Sequence, residues 1–377
     1  MLAYVKLVLL FTILHLVLAS TTLEGVIVVT RHGDRAPLYS FENQYTHWNC
    51  SIQHTTSLLV KSSVSHRSTV RSSFIPGGQS LDGNCYLGQL TLKGGLQHVE
   101  LGKRLRTTYD DLLPTIPDDT VYFRSTNVPR TIESLIAQIS ATFPALPNSD
   151  SIPLINLLER PRETLLSNAA ACPRLSSLLS TLYSSPEWVQ QTEELSYLKP
   201  ILNSIFGVKI SSDNDWNQVY DYLYAMVYND IKLPSPLTLT DFDKLFKLKS
   251  WQLTQMYNDT YLSLSLGQFA QELITNVQSI FDRSTTVKYS VFSAHDLTIL
   301  PLMSLLNVND GVWPDYASYI AIETWLVEGN PTIKVVYNDR PVQMKHCSDM
   351  FCPIDEFIER LSLFKLTREE WIEACMA

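Results

Sequence analysis

The feature that most constrains the fold is an apolar run near the amino terminus that ends abruptly in charge. Residues 24–30 read EGVIVVT, and the four consecutive β-branched side chains from Val26 to Val29 leave no polar face. A strand without a polar face is buried on both sides, as in parallel sheets that carry helices on both faces. The next residues, Arg31 to Pro37, read RHGDRAP. A buried strand that leads directly into cationic side chains is typical of a ligand site at the carboxyl edge of such a sheet.

Two later segments show the same order of apolar strand, polar end and helix. One leads into Arg124, with Arg130 one turn into the helix that follows, and the other leads into His295 and Asp296. If the three strands are neighbours in one parallel sheet, their carboxyl ends meet at one edge and these side chains converge. Taken singly, Asp296 is a natural helix N-cap and Arg124 a surface ion-pair partner. The coincidence at three strand ends favours one shared site, in which Arg130 is the weakest member.

The strand and helix patterns divide the chain into three parts. Residues 21–143 and 252–377 contain the apolar strands and predict an α/β domain, a three-layer sandwich around a mainly parallel sheet. Residues 144–251 show helical patterns punctuated by proline and no clear strand, which predicts an inserted, mostly helical cap domain. Residues 1–20 are set apart as a targeting segment.

The targeting segment and the cysteines indicate the secretory pathway. Lys6 precedes an apolar run over residues 7–18 and then small residues, which is the pattern of a cleaved signal peptide and too short to span a membrane comfortably. Six cysteines fit an oxidising compartment. The sequons at Asn49 and Asn258 are candidate glycosylation sites. We expect a protein of the extracellular space or the lysosomal lumen, without a stable membrane anchor.

Composition excludes several classes of partner and structure. Hydrophobic residues make up 45% of the chain and charged residues 18%, which is typical of a globular protein. The net charge is −9 and no run of Lys or Arg is present, which argues against a nucleic-acid partner. The cysteine spacing does not match a zinc site.

The side chains at the three strand ends suit phosphoryl chemistry. Guanidinium groups match phosphate oxygens and stabilise the charge on a transferring phosphoryl group. Among them, His32 can attack phosphorus through a ring nitrogen and form a covalent phosphohistidine. Asp296 is the nearest candidate for the acid that protonates the leaving group. The set requires no metal and no cofactor, and the substrate class it predicts is a small-molecule phosphate monoester.

At these residues the chain resembles the histidine acid phosphatases, a branch of the histidine phosphatase superfamily. Residues 31–37 match the family's R-H-G-x-R-x-P signature, and residues 293–296 match its distal histidine–aspartate pair. Arg124, with Ser and Thr after it, resembles the family's middle arginine. The resemblance covers about residues 23–377.

The resemblance implies a role for each matching residue. His32 is the implied nucleophile and Asp296 the implied proton donor of an enzyme that hydrolyses phosphate monoesters at acidic pH. The residues implied to hold the phosphoryl group are Arg31, Arg35, Arg124 and His295. The implied fold is an α/β domain with a mainly helical cap. Family members are often dimeric, so a homodimer stays open.

The resemblance also bears on the cysteines and on the rim of the site. The implied disulfides are Cys172–Cys375, Cys347–Cys352 and, for the two cysteines that remain, Cys50–Cys85. Asn127 stands where the family often has Asp, and residues 45–87 look longer than in vertebrate relatives. Because this segment follows the signature, it is expected to shape the pocket rim.

Alternatives to a broad acid phosphatase remain. A phytase or a lysophosphatidate phosphatase can use the same fold, although phytases usually continue the distal pair as His-Asp-Thr-Asn, where this chain has Leu297 and Thr298. A phosphomutase of this fold tends to be cytosolic. A secreted phosphoryl-ligand binder with weak activity is disfavoured by the intact His32, His295 and Asp296.

Overall fold

The computed structural model describes residues 21–43, 46–50, 55–59, 67–71, 80–146 and 151–377. The predicted signal peptide, residues 1–20, lies outside the described residues, as does part of the segment 45–87. None of the helices in the described residues is long and apolar enough to cross a membrane.

The strands form one large sheet and one separate hairpin. The strands of the large sheet are β1 (Thr21–Arg31), β4 (Val121–Ser125), β5 (Ile155–Leu157), β6 (Tyr289–Ala294), β7 (Tyr319–Val327), β8 (Asn330–Tyr337), β9 (Arg340–Val342) and β10 (Cys352–Pro353). The hairpin consists of β2 (Thr55–Leu59) and β3 (Arg67–Arg71), paired antiparallel. The order in the large sheet is β10-β8-β7-β1-β6-β4-β5, and β9 pairs with β8.

The sheet is mixed, with its parallel strands at the core. The strands β1, β6, β4 and β5 are mutually parallel, whereas β7 runs antiparallel to β1 and β8 runs antiparallel to β7. The three strands predicted to meet at one edge are therefore neighbours, in the order β1-β6-β4. This confirms the prediction of a mainly parallel core that brings the three polar strand ends together.

Helices cover both faces of the sheet. The helices are α1 (Leu92–Thr108), α2 (Pro129–Thr142), α3 (Pro173–Tyr183), α4 (Pro186–Glu193), α5 (Leu198–Phe206), α6 (Asp213–Tyr228), α7 (Leu239–Met256), α8 (Asp259–Phe281), α9 (Asp296–Leu305), α10 (Ile354–Ser362) and α11 (Arg368–Met376). One face packs against α1 and α2, and the other packs against α8, α9 and α10. The three-layer sandwich is confirmed.

The apolar run in β1 explains why this strand is central. Val26, Ile27, Val28 and Val29 are all fully buried. Their side chains alternate along the strand, so that Ile27 and Val29 enter the core beneath α8 and α9, while Val26 and Val28 enter the core beneath α1 and α2. A strand that contributes to two cores can carry no polar face.

The helices α3 to α7 form the helical insertion, in which α5, α6 and α7 share a core of their own. This core contains Leu202, Trp216 and Leu245, and it also takes in Ala36 and Trp48 from the segment after β1. The range 144–251, in which no strand was expected, contributes β5 to the edge of the sheet, so the helical insertion begins after β5. Three residues at a sheet edge are too few to show a strand periodicity in sequence.

Three disulfides tie these parts together, and their pairing is the one that the resemblance implied. Cys50–Cys85 closes the segment after the signature loop. Cys172–Cys375 joins the start of α3 to α11, and Cys347–Cys352 closes a short loop before α10.

Candidate active site

The signature loop after β1 is held by close backbone packing and by a buried carboxylate. A Cβ on Gly33 would lie 2.3 Å from the carbonyl oxygen of Gly94 in α1, so only glycine fits. Asp34 is fully buried and accepts hydrogen bonds from Thr91 Oγ1 at 2.5 Å and from Asn229 Nδ2 at 3.1 Å. These contacts fix the loop between α1 and the end of α6.

His32 follows β1 and lies 5.5 Å from His295, measured between ring centroids. Its Nδ1 lies 2.8 Å from the carbonyl oxygen of Gly33. Because a carbonyl oxygen only accepts, Nδ1 must carry the proton, and the lone pair of the neutral ring is on Nε2. Burial, and then the positive charges of Arg130 and Arg31, hold the pKa of His32 well below its usual value. The ring is therefore neutral even in acid, and the lone pair on Nε2 is available.

His295, at the end of β6, has both ring nitrogens engaged. Arg130 Nη2 donates to Nδ1 at 3.4 Å, so the proton is on Nε2, which donates to Thr126 Oγ1 at 3.0 Å. Thr126 in turn lies 2.8 Å from Thr131 Oγ1, in the first turn of α2. Burial and the charge of Arg130 lower the pKa of His295 to about 3. This histidine is a neutral donor group.

Three arginines surround the histidines. Arg31 donates from Nη2 to Asp296 at 2.8 Å and its guanidinium lies 4.3 Å from the ring centre of Tyr316. Arg35 donates from Nη2 to Asp221 of α6 at 2.6 Å. Arg130 forms no ion pair with a carboxylate of the described residues, and its buried Nε has no hydrogen-bond partner there.

The charge on Arg130 is consequently the least compensated of the three. Burial, and then repulsion by Arg35, lower the pKa of Arg130 to about 10. It remains a cation at acidic and neutral pH, and a bound anion is the partner it lacks.

Asp296 is the first residue of α9. Its Oδ2 accepts from Arg31, and its Oδ1 accepts from the backbone N–H of Leu297 at 2.8 Å. Burial on its own would raise the pKa of this carboxyl group, but Arg31 and then Arg35 outweigh it and lower the pKa below its usual value. Asp296 is therefore ionised in the free protein.

Arg124 is not part of this cluster. It donates from Nη1 to Glu272 at 2.5 Å, and from Nη2 to Glu163 at 3.0 Å and Thr164 at 2.7 Å. The pleat of β4 explains this position: Phe123 faces the core under α2, so Arg124 faces the opposite layer, where α8 carries Glu272. The arginine that the structure places beside His32 and His295 is Arg130.

Other members of the site were not assigned from sequence. Asp221 comes from the helical insertion, far along the chain from Arg35, and no local pattern marks it. His98, to which no role was assigned, is fully buried in α1 and lies 3.0 Å, through Nε2, from the carbonyl oxygen of Arg31. Arg130 was noted in sequence, but Arg124 at the strand end was preferred to it.

Residues with the potential to bind a metal are grouped at one place in the described part of the chain, away from this site. The group consists of His346, Cys347 and Cys352. Both sulfur atoms belong to the Cys347–Cys352 disulfide, so they are not available as thiolate ligands.

Comparison with known proteins agrees with this geometry. A family model described as the histidine phosphatase superfamily, branch 2, matches residues 22–338. The chain belongs to this family. Counting factor 60 of Dictyostelium discoideum is 30% identical over 375 residues, which is 94% of this chain and 88% of that protein. The prostatic acid phosphatase of Mus musculus is 28% identical over 380 residues, 94% of this chain and 89% of that protein.

Solved structures support the fold of this histidine phosphatase. The apo form of Hafnia alvei phytase superposes with a TM-score of 0.64 at 14% identity, covering 94% of this chain and 98% of that one. At such identity the likeness concerns the fold alone. With relatives named as acid phosphatases along most of its length, the chain is a phosphoric monoester hydrolase.

Matched substitutions of Arg124 and Arg130 test which of the two acts in catalysis and which stabilises the fold. Arg130→Met should lower kcat/KM for para-nitrophenyl phosphate by about 10²–10³-fold, because it removes a cation that faces the phosphoryl group. Arg124→Met should instead lower the free energy of unfolding by about 3 kcal/mol, because it leaves the buried Glu163 without its partner. Steady-state kinetics and thermal unfolding of both variants test this, and the expectation fails if Arg124→Met loses as much activity per folded molecule as Arg130→Met.

The same two variants, Arg130→Met and Arg124→Met, should also differ in the acid limb of the pH profile of kcat/KM. Free-enzyme kcat/KM falls as His32 is protonated, and its depressed pKa places that limb well below pH 6.5. Removing the charge of Arg130 raises the pKa of His32, so Arg130→Met should move the acid limb to higher pH. Arg124→Met serves as the control and should leave the limb in place. An unmoved limb in Arg130→Met would show that another group governs it.

Proposed function

We propose that this chain is an acid phosphatase of the secretory pathway that hydrolyses small phosphate monoesters through a covalent phosphohistidine on His32. The observation that carries the proposal is the set of charges around two neutral histidines. Arg31 and Arg35 are each paired with one carboxylate, whereas Arg130 is paired with none in the described residues. A phosphate group supplies the missing negative charge.

Phosphate binding is assigned to Arg31, Arg35, Arg130 and His295, the last of which turns its Nε2–H from Thr126 to a phosphate oxygen when substrate binds. Guanidinium groups donate to phosphate oxygens bidentately, and three of them stabilise the charge that moves onto the equatorial oxygens during transfer. The Nδ1–H of His32 is fixed on Gly33, so Nε2 is directed at phosphorus as the nucleophile. In the first step the bond from Nε2 to phosphorus forms and the bond to the leaving-group oxygen breaks.

The proton for the leaving group enters with the substrate. Asp296 is ionised in the free enzyme, and a phosphate monoester with a second pKa near 6 binds in acid as its monoanion, which carries one proton. Transfer of that proton to Asp296, and from Asp296 to the departing oxygen, releases a neutral alcohol. The charge of the bound phosphate raises the pKa of Asp296 and engages Arg31, which favours this transfer.

The second step returns the enzyme to its starting state. Asp296, again a carboxylate, accepts a proton from a water molecule as its oxygen attacks the phosphohistidine. The bond between phosphorus and Nε2 then breaks, and inorganic phosphate leaves with the proton that Asp296 accepted, so that Asp296 is a carboxylate and His32 a neutral ring once more. Acid and base are the same group used in opposite directions, as microscopic reversibility requires.

Several features support the assignment to the secretory pathway. The first twenty residues have a signal-peptide pattern, and the three disulfides need an oxidising compartment. Asn49 and Asn258 are both exposed, as glycosylation requires. Relatives include proteins named prostatic and lysosomal acid phosphatase, so the extracellular space and the lysosomal lumen are both proposed.

His32→Ala should reduce turnover by about 10⁴-fold or more while the fold survives, because no other group can accept the phosphoryl group. Rapid mixing with substrate, quenching in base and mass spectrometry should find one phosphate on His32 in the wild-type protein and none in the variant. His47→Ala, which removes an exposed histidine, is the matched control. Wild-type turnover in a folded His32→Ala protein would overturn the mechanism.

Asp296→Asn should discriminate between leaving groups. It should lower kcat/KM for an alkyl phosphate by about 10²-fold or more, since an alkoxide needs a proton, and lower kcat/KM for para-nitrophenyl phosphate far less. The ratio of kcat/KM values reports the first step alone. The substitution also removes the ion-pair partner of the buried Arg31, so the free energy of unfolding should fall by about 3 kcal/mol, and turnover is compared per folded molecule. Equal slowing of both substrates would assign Asp296 a structural role.

A further inference from the structure

A cavity of about 260 Å³ adjoins the proton donor. Arg31, Arg35 and Asp296 form part of its lining, and helices of the insertion provide much of the rest. Because Asp296 delivers the proton to the leaving-group oxygen, the leaving group extends from Asp296 into this cavity. The chemistry of the remaining walls therefore selects the substrate.

Six aromatic side chains contribute to the walls of the cavity. The aromatic side chains that line it are Tyr39, Tyr183, Trp188, Tyr220, Tyr224 and Trp313. Trp188 is fixed by a 2.7 Å hydrogen bond from its Nε1 to Asp213, and its ring centre lies 4.9 Å from that of Tyr183. Rigid aromatic faces of this kind favour a flat, apolar ring.

Besides Arg31 and Arg35, a third cation lines the cavity, on α7. Lys249 is only 3% exposed, and its Nζ donates to Asn217 at 2.9 Å and to Gln252 at 2.7 Å. Both acceptors are neutral amide oxygens, and Lys249 forms no ion pair with a carboxylate of the described residues. An ammonium group has three donors, so one remains for a ligand.

Burial without a counterion is costly for an ammonium group and is uncommon unless a partner compensates it. Burial lowers the pKa of Lys249 to about 8, and the more distant carboxylate of Asp213 opposes that shift. Lys249 is thus still charged in acid, where the enzyme is proposed to work. The nearby Asn217 and Gln252 also line the cavity and hold the ammonium group against its wall.

We propose that Lys249 is a specificity-determining residue that binds an anionic group on the leaving group, so that the preferred substrates are aryl phosphates whose ring carries a carboxylate. The inference rests on the proposed function, because it takes Asp296 as the point from which the leaving group departs. The proposal also disfavours inositol polyphosphates. Their leaving groups carry several phosphates, whereas this cavity, apart from Arg31 and Arg35 that are assigned to the transferred phosphoryl group, offers aromatic side chains, the carboxylate of Asp221 and a single lysine.

The competing explanation is that Lys249 only links α6 to α7 through Asn217 and Gln252. A structural link affects folding and all substrates alike. An anion-binding role instead changes the preference between two substrates that differ in one charge, and changes it through KM.

The test compares the phosphate ester of para-hydroxyphenylpropanoic acid with that of the corresponding amide. At pH about 6 the carboxylate is ionised and Lys249 is protonated. The wild-type enzyme should favour the acid over the amide by about tenfold or more in kcat/KM, and Lys249→Met should bring the ratio close to one. Lys247→Met removes an exposed lysine of the same helix and should retain the wild-type ratio.

A second measurement covers the case in which Lys249→Met does not fold. The dephosphorylated products, acid and amide, are titrated into the wild-type protein by calorimetry, and the acid should bind about tenfold more tightly. A wild-type preference near one in kinetics or calorimetry overturns the inference and leaves the proposed function standing. Turnover that survives in His32→Ala overturns the proposed function instead, and calorimetry still reports on Lys249.

Discussion

Positive charge confined at the carboxyl edge of the sheet is the constraint on which the rest of the structure depends. Arg31 and Arg35 are almost fully buried, and Arg130 lies close enough to act on both histidines. Buried guanidinium groups that lie close together repel one another, and each of them also loses its hydration. Two carboxylates compensate part of this charge: Asp296, at the start of α9, pairs with Arg31, and Asp221, in the insertion, pairs with Arg35. One cation is left over, and that imbalance is what makes the site receptive to a phosphate.

The same charge distribution sets the protonation states that the chemistry needs. Both histidines are neutral because burial and neighbouring cations disfavour a further positive charge. The carboxylate is ionised for the converse reason. The protonation states of His32, the proposed nucleophile, and of Asp296, the proposed proton carrier, thus follow from one electrostatic environment. The hydrogen bond from His32 Nδ1 to Gly33 then decides which nitrogen reacts.

Sequence alone predicted the central sheet and most of the site, because both follow from local patterns. The unbroken apolar run of β1 specifies burial on two faces, and the signature after it contains His32, the nucleophile that we propose. Local patterns did not identify Arg130, rather than Arg124, as the arginine that lies beside the two histidines. The difference between the two depends on which face of β4 a side chain leaves from and on where α2 begins, and neither is visible in a motif. Asp221 and Lys249 could not be found in this way, since they reach the site only through the packing of the insertion.

The core of the insertion contains Ala36 and Trp48, which belong to the segment after the signature loop, and Cys50 is bonded to Cys85 beside them. The insertion is therefore not a module that can be exchanged at its two chain ends. A chimaera that transplants residues 158–257 from a relative would face a foreign surface on the catalytic loop. Engineers who wish to alter the selectivity of this enzyme by recombination would have to move the stretch from Ala36 to Cys85 together with the helices. Because of the same dependence, exchanging the helices alone would change the packing around the signature loop together with the substrate selectivity.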